Sequence, residues 1–311
     1  AEKAQLESKI RALKTDAVLP VFKISSANLT LSDSIAVNFR VKAEVYEAYE
    51  NVYAVISCGT NSITVNNPVY KEAEGLYVFS FAGIGPQNMK DAISCTLYGT
   101  ANGQEYTKTV EYSVYRYCTN QLAKSNDPAF KAVVTDLLNY GAAAQIYSGH
   151  NVNDLANAGV DQTYATATLA TEPVKDLNLT YATIDNPTVA WKSASLYLES
   201  KVNARLEIKT DDLTGLTVKF VINGVEYVSD KFEARPNTAD RYYVYFDSIL
   251  PTQMRTPFTA TVYRNGVAVS NTIQYSIQTY VVGKTTPGTN LNDLVIAMLK
   301  FGDACAAYFN K

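Results

Sequence analysis

The sequence predicts a mainly β protein with accessory helices: two tandem antiparallel β-sandwich repeats of immunoglobulin-like type, each ending in an α-helix. Three observations carry this. Runs of strict apolar–polar alternation fill two long stretches of the chain. Gly, Asn and Asp cluster between the runs, as turns require. One helical stretch, Leu137 to Tyr147, returns at the end of the chain as Met298 to Tyr308, with Tyr140 and Tyr147 answered by Phe301 and Tyr308.

In order, residues 1–19 read as a short charged helix with Leu6, Ile10 and Leu13 on one stripe, stopped by Pro20. From 20 to about 118 the period is two. Ile35, Val37, Phe39 and Val41 alternate with polar partners, as do Tyr77, Phe79 and Phe81, then Ile93, Cys95 and Leu97, then Val110, Tyr112 and Val114. A helix over 128–147 follows, opened by Asp127-Pro128 as N-cap and first-turn proline. Residues 151–173 read as a linker or extended strap. The pattern then restarts, giving a first repeat over 20–150 and a second over 174–311.

The two repeats align residue by residue. Ser26 to Leu31 matches Ser193 to Leu198, Pro86 and Met89 match Pro251 and Met254, and Asn102-Gly103 matches Asn265-Gly266. Tyr112-Ser113 matches Tyr275-Ser276. The offset shrinks in small steps, as it does when hairpin loops lose residues and strands keep phase. Both Asn-Gly pairs are hairpin-turn signals. In the helices, Phe130, Val134, Leu137, Gly141 and Ala144 share one face, and Leu291, Val295, Met298, Gly302 and Cys305 share the other's. A mid-helix glycine costs about 1 kcal/mol against alanine. Its use twice at one register predicts a helix lying close to another backbone.

Composition excludes several classes. The 311 residues carry a net charge of −3 with 18% charged residues, so no basic field exists for nucleic acid. No run approaches the roughly 20 apolar residues of a membrane span, and the first residues lack a signal-peptide core, which fits a mature or excised fragment. Tyrosine is the outlier, 23 against 11 Phe and 1 Trp, as on half-solvated sheet faces. A soluble extracellular protein is expected. The four cysteines show no Cys-x-x-Cys spacing and read as buried thiols, with a Cys58–Cys95 bridge as the alternative.

Strand-rich modules closing on a helix like Leu137-Leu-Asn-Tyr-Gly-Ala-Ala-Ala-Gln-Ile-Tyr147 are similar to modules of secreted and surface proteins of anaerobic gut Gram-positive bacteria. The resemblance is carried by 137–147, Tyr112-Ser113-Val114 and Tyr117-Cys118, and weakens where Asp303 and Cys305 replace alanines. Some of those proteins carry dockerins or carbohydrate-binding domains, and tandem sandwiches of starch-adherence proteins are a related idea. The resemblance implies a secreted or cell-surface location and a modular context.

Catalytic signals are sparse. His150 is the single histidine, so histidine-based triads and metal sites have little to build on. Asp154 and Asp211-Asp212 lack calcium-loop spacing, and Gly83 and Gly85 precede no helix start. Glu72, Glu74, Glu199 and Glu233 could supply glycosidase carboxylates, but no pattern pairs any two of them. A non-catalytic protein without cofactor or metal is expected.

Comparing the repeats is more informative. Tyr243 and Tyr245 stand where the first repeat has Val78 and Ser80, Tyr197 replaces Thr30, and Trp191 stands near the position of Ile24. Outward aromatics offer flat apolar faces on which sugar rings stack. The expectation is a polysaccharide-binding module, α-glucan first, with Trp191, Tyr197, Tyr243 and Tyr245 as its ligand-binding surface. Its partners would be polysaccharide and other domains of a larger surface protein. The alternatives are a structural or adhesive spacer or protein-interaction domain, whose tyrosines cover a neighbouring element, and a glycoside hydrolase.

Overall fold

The computed structural model describes residues 18–31, 35–167, 180–198 and 202–310. The helix expected over 1–19, the 168–173 end of the strap and Glu199 lie outside them, apart from the irregular residues 18–19. The chain divides into two compact units, the first built from residues up to 31, 35–84 and 90–117, the second from 85–89 and 118 onward.

In the first unit, β1 (Ser26–Thr30), β2 (Ala36–Lys42), β5 (Val69–Lys71) and β6 (Leu76–Ala82) form an antiparallel sheet in the order β1-β2-β6-β5. The strands β3 (Glu50–Cys58), β4 (Asn61–Val65), β7 (Ile93–Ala101) and β8 (Gln104–Tyr112) form a second, in the order β4-β3-β7-β8. A short helix, α1 (Ala43–Ala48), links β2 to β3. The alternating residues meet in register: Phe39 faces Phe79, Val37 faces Phe81, and Ile56 faces Cys95, all buried. Asn102 and Gly103 both take positive φ in the β7–β8 turn, as a type I′ hairpin demands.

The second repeat reproduces this order. One sheet runs β10 (Ala190–Leu198), β11 (Val202–Lys209), β15 (Arg241–Phe246), β14 (Glu233–Ala234). The other runs β13 (Val225–Ser229), β12 (Leu216–Ile222), β16 (Phe258–Arg264), β18 (Thr272–Tyr275), with β17 (Val267–Ala268) on β16 and β9 (Thr180–Ala182) added beside β18. Phe220, Phe246 and Phe258 pack at centroid distances of 4.8 and 5.0 Å and join the two sheets. Both repeats are antiparallel β-sandwiches.

Each repeat ends in two helices. These are α2 (Val114–Lys124) and α3 (Pro128–Ser148), then α4 (Ile277–Lys284) and α5 (Asn290–Phe309). The strand expected through Val114 stops at Tyr112 because Ser113 caps a helix: its Oγ accepts the Arg116 N–H at 3.1 Å. Ser276 does the same for Thr279 at 3.0 Å, so the repeated Tyr-Ser pair is a strand-to-helix switch. Asp127 caps α3 through the N–H groups of Ala129 and Phe130, and Thr289 caps α5. In sequence α3 closes the first repeat, and by contact it groups with the second compact unit.

The helices α3 and α5 run antiparallel, Phe130 against Tyr308 at 5.2 Å and Tyr140 stacked on Phe301 at 6.2 Å. Each glycine meets a 3-10 turn of its own repeat. A Cβ on Gly141 would stand 2.5 Å from Met89 Sδ and 3.2 Å from Pro86 O. A Cβ on Gly302 would stand 2.9 Å from Met254 Sδ and 3.0 Å from Pro251 O. The matched Pro and Met of the two repeats are thus the glycines' partners.

The strap explains the polar residues unique to α3. Gln145, 1% exposed, accepts from Ala156 N–H at 2.7 Å and donates to Asp154 O at 3.1 Å. Asn139 holds Gln162 and Asn157, and Asp136 accepts the Thr166 N–H. In α5, Asp303 is held by Arg255 through two bonds of 2.6 and 3.2 Å, which accounts for its departure from alanine. The four cysteines are free and buried; Cys58 faces Ile93 and Cys95 faces Ile56, without a bridge between them.

The glycine contacts are testable. Alanine favours a helix by about 1 kcal/mol, yet Gly141→Ala and Gly302→Ala are each expected to destabilise the fold by about 1–3 kcal/mol, because the proline carbonyls cannot retreat. Urea unfolding measures this, and Met254→Ala should offset part of the Gly302→Ala loss in a double-mutant cycle.

Candidate functional site: an aromatic and charged face of the second repeat

The outer face of the β10-β11-β15-β14 sheet follows from strand register. Tyr197 opposes Asn203, Ser195 opposes Arg205, and Ser193 opposes Glu207. Across β11, Arg205 opposes Tyr245 and Glu207 opposes Tyr243, which in turn opposes Glu233. Three of the four expected ligand-binding residues therefore share one face. Their core-facing neighbours Leu206, Val244 and Phe246 are buried.

Arg205 is the centre. Its guanidinium lies 4.7 Å from the Tyr243 ring centroid and 5.6 Å from that of Tyr197. Tyr197 and Tyr245 meet at 5.5 Å, tilted. The Tyr245 hydroxyl donates to Glu233 at 2.9 Å. Burial first, then this bond to an anion, pushes the Tyr245 hydroxyl up to about 12. All three tyrosines are half-buried.

Beside them, Glu207 is buried with a 5% exposed side chain. It accepts from Arg235 at 2.7 Å, Arg241 at 2.9 Å and Ser193 at 2.8 Å. Burial raises its pKa, but the bonds from Arg235, Ser193 and Arg241 outweigh that and leave the carboxyl below its ordinary value.

Trp191 does not join the tyrosines. A register irregularity between Trp191 and Ser193 reverses the side-chain parity of β10, so Trp191 opposes Ile208 on the core side. Its indole N–H donates to Asn271 O at 2.8 Å, and the Asn271 side chain accepts the Ile184 N–H. Trp191 ties β10 to the facing sheet.

The first repeat shows what the same positions do without aromatics. Thr30, Asn38 and Ser80 align with Tyr197, Arg205 and Tyr245. There Asn38 donates to Thr30 at 2.9 Å and accepts from Ser80 at 2.7 Å, a closed hydrogen-bonded triad. Arg40 stands where Glu207 does and pairs with Glu74 at 3.1 Å, the signs reversed.

A feature the sequence reading missed opens next to Tyr245. A cleft of about 330 Å³ lies at the ends of β13 and β15, lined by Tyr227, Asp230, Lys231, Tyr245, Phe246 and Asp247 among others. Of the candidate carboxylates, Glu74 is paired with Arg40 and Glu233 with Tyr245, while Glu72 is exposed in a 3-10 turn. Among the described residues no cluster could hold a metal ion, and no helix is long and apolar enough to cross a membrane. His150 follows the α3 cap, its backbone N–H donating to Gln145 O.

No family model and no curated protein matches the chain. Among solved structures it is similar to the paired C2 domains of Extended-Synaptotagmin 2, at 8% identity over 86% of each chain with a TM-score of 0.25. The β-sandwich assignment rests on the sheet topology itself.

The Glu207 cluster predicts an acid limb. A carboxyl whose folded pKa is depressed contributes stability above its unfolded value, near 4.5, and loses it as pH falls through the lower folded value. Glu207→Gln should cost about 1–2 kcal/mol at neutral pH and flatten the decline of Tm between that value and the more acidic range, as followed by thermal melts across pH.

Proposed function

We propose that this chain is a non-catalytic polysaccharide-binding module of a secreted or cell-surface bacterial protein, with an α-glucan as the first candidate ligand. One observation carries the reading: three positions that close on themselves as Thr30–Asn38–Ser80 in the first repeat become Tyr197–Arg205–Tyr245 in the second. A self-satisfied polar triad serves the fold at less cost than three bulky half-exposed side chains. The second set gains its worth by meeting something outside the sheet.

The chemistry suits a sugar. Tyrosine rings take the C–H face of a pyranose, and Arg205 and Glu233 donate to and accept from hydroxyls. The packing of Arg205 on Tyr243 and Tyr197 holds the rings in place before ligand arrives, which lowers the ordering cost of binding. The second reading, a structural or adhesive spacer, is favoured by the partners these groups already have: Arg205 on two rings and Tyr245 on Glu233.

The test grafts the first repeat's residues into the second: Tyr197→Thr, Arg205→Asn and Tyr245→Ser together. That triad is already compatible with the fold at the matching site, so the variant should remain folded. In gels containing starch, xylan, β-glucan or mucin, the native chain should be retarded by one polysaccharide. The graft should weaken that interaction by about 10- to 100-fold, at about 1 kcal/mol for each stacking ring removed. Equal mobility of both proteins in every gel would favour the spacer.

A further inference from the structure

We propose that the cleft beside Tyr245 is a distinct subsite for one or two rings of a neutral sugar, at the end or branch of a chain lying across the tyrosine face. This rests on the polysaccharide-binding reading and adds to it a location and a ligand charge. The cleft measures about 330 Å³, at the lower end of the roughly 300–1,000 Å³ typical of small-molecule sites. That suits a short terminal unit rather than an enclosed chain.

Its floor is aromatic and fixed. Phe246 is 2% exposed, stacked on Phe220 at 4.8 Å and packed against Tyr227 at 5.4 Å. A ring settling on the half-exposed Tyr227 presents C–H groups to a π-face that Phe246 backs from beneath and that does not have to reorder. The rim is polar: Asp230 and Lys231 follow β13, and Asp247 follows β15, all exposed. Asp247 accepts from Ser248 at 3.3 Å and keeps further acceptor capacity. Two carboxylates accept hydroxyl protons and one ammonium donates to a hydroxyl or ring oxygen. Two negative charges against one positive make the rim unfavourable for uronic acids, sialic acid or phosphorylated sugars.

Tyr245 lines both the cleft and the outer face, so a single saccharide can contact both. The cleft is formed by residues of the second repeat alone.

The experiment is calorimetric titration of the full chain with soluble oligosaccharides prepared from starch, xylan and β-glucan, and with oligogalacturonate as the anionic probe. Two cleft variants are used: Asp230→Ala/Asp247→Ala, both exposed positions, and Ser248→Trp, which fills the space. Each is expected to weaken binding of the neutral oligosaccharide by about tenfold or more, with oligogalacturonate not bound by the native chain. Native affinity in both cleft variants, alongside its loss in the Tyr197/Arg205/Tyr245 graft, would overturn the cleft subsite and leave the tyrosine face standing. Preference for oligogalacturonate would overturn the neutral class. Absence of binding to every oligosaccharide would overturn the subsite together with the reading beneath it.

Discussion

The close approach of two helices to two proline-containing turns is the contact on which the second unit depends. At Gly141 and Gly302 the helix surface has no side chain, and a methionine sulfur and a proline carbonyl fill that space. A glycine at mid-helix is unfavourable on propensity alone, so its presence at the same register in both repeats has to be compensated by packing. The compensation is visible: α3 and α5 come together antiparallel, Tyr140 stacks on Phe301, and Val134, Leu137, Val295 and Met298 are fully buried. Several differences between the two helices follow from their surroundings. The first carries Gln145 and Asn139 because a strap returns over it, and the second carries Asp303 because Arg255 stands opposite.

Duplication of one sandwich leaves the core under a shared constraint and the outer face free to diverge. Core positions keep their character from copy to copy, Phe39 and Phe79 answered by Leu206 and Val244, all buried. On the outer face the same strand positions change chemistry altogether. Threonine, asparagine and serine that satisfy one another become rings around a guanidinium, and an Arg40–Glu74 pair becomes a buried Glu207 held by two arginines. Since both sets fold, the fold does not choose between them. The proposed function offers one reason for the difference: a ligand that meets the second face and not the first.

Much of the fold was legible because alternation and repetition are local signals. Runs such as Ile93-x-Cys95-x-Leu97 have one periodicity and one place to go. Strands with no buried residue, β4 and β5, leave no such pattern. The helices α2 and α4 escaped because the apolar rhythm runs on past Tyr112 into Val114, although Ser113 and Ser276 carried the capping signal. At the candidate site, Tyr197, Tyr243 and Tyr245 obey simple parity, and counting along the strands places them on one face. Trp191 fails the same count because one irregular residue in β10 reverses the parity. The cleft was invisible, since its lining is brought together from the ends of two strands in different sheets.

The central claim is that a saccharide meets the second repeat's outer face. The direct measurement is chemical-shift mapping of backbone amide and side-chain signals during titration with the soluble oligosaccharide of the best-retained polysaccharide. Saturable shifts are predicted at Tyr197, Arg205, Tyr243 and Tyr245, with Thr30, Asn38, Ser80 and Trp191 unmoved. Shifts confined to the first repeat, or none at saturating saccharide, would contradict the claim and return the tyrosines to the role of sheet-surface packing.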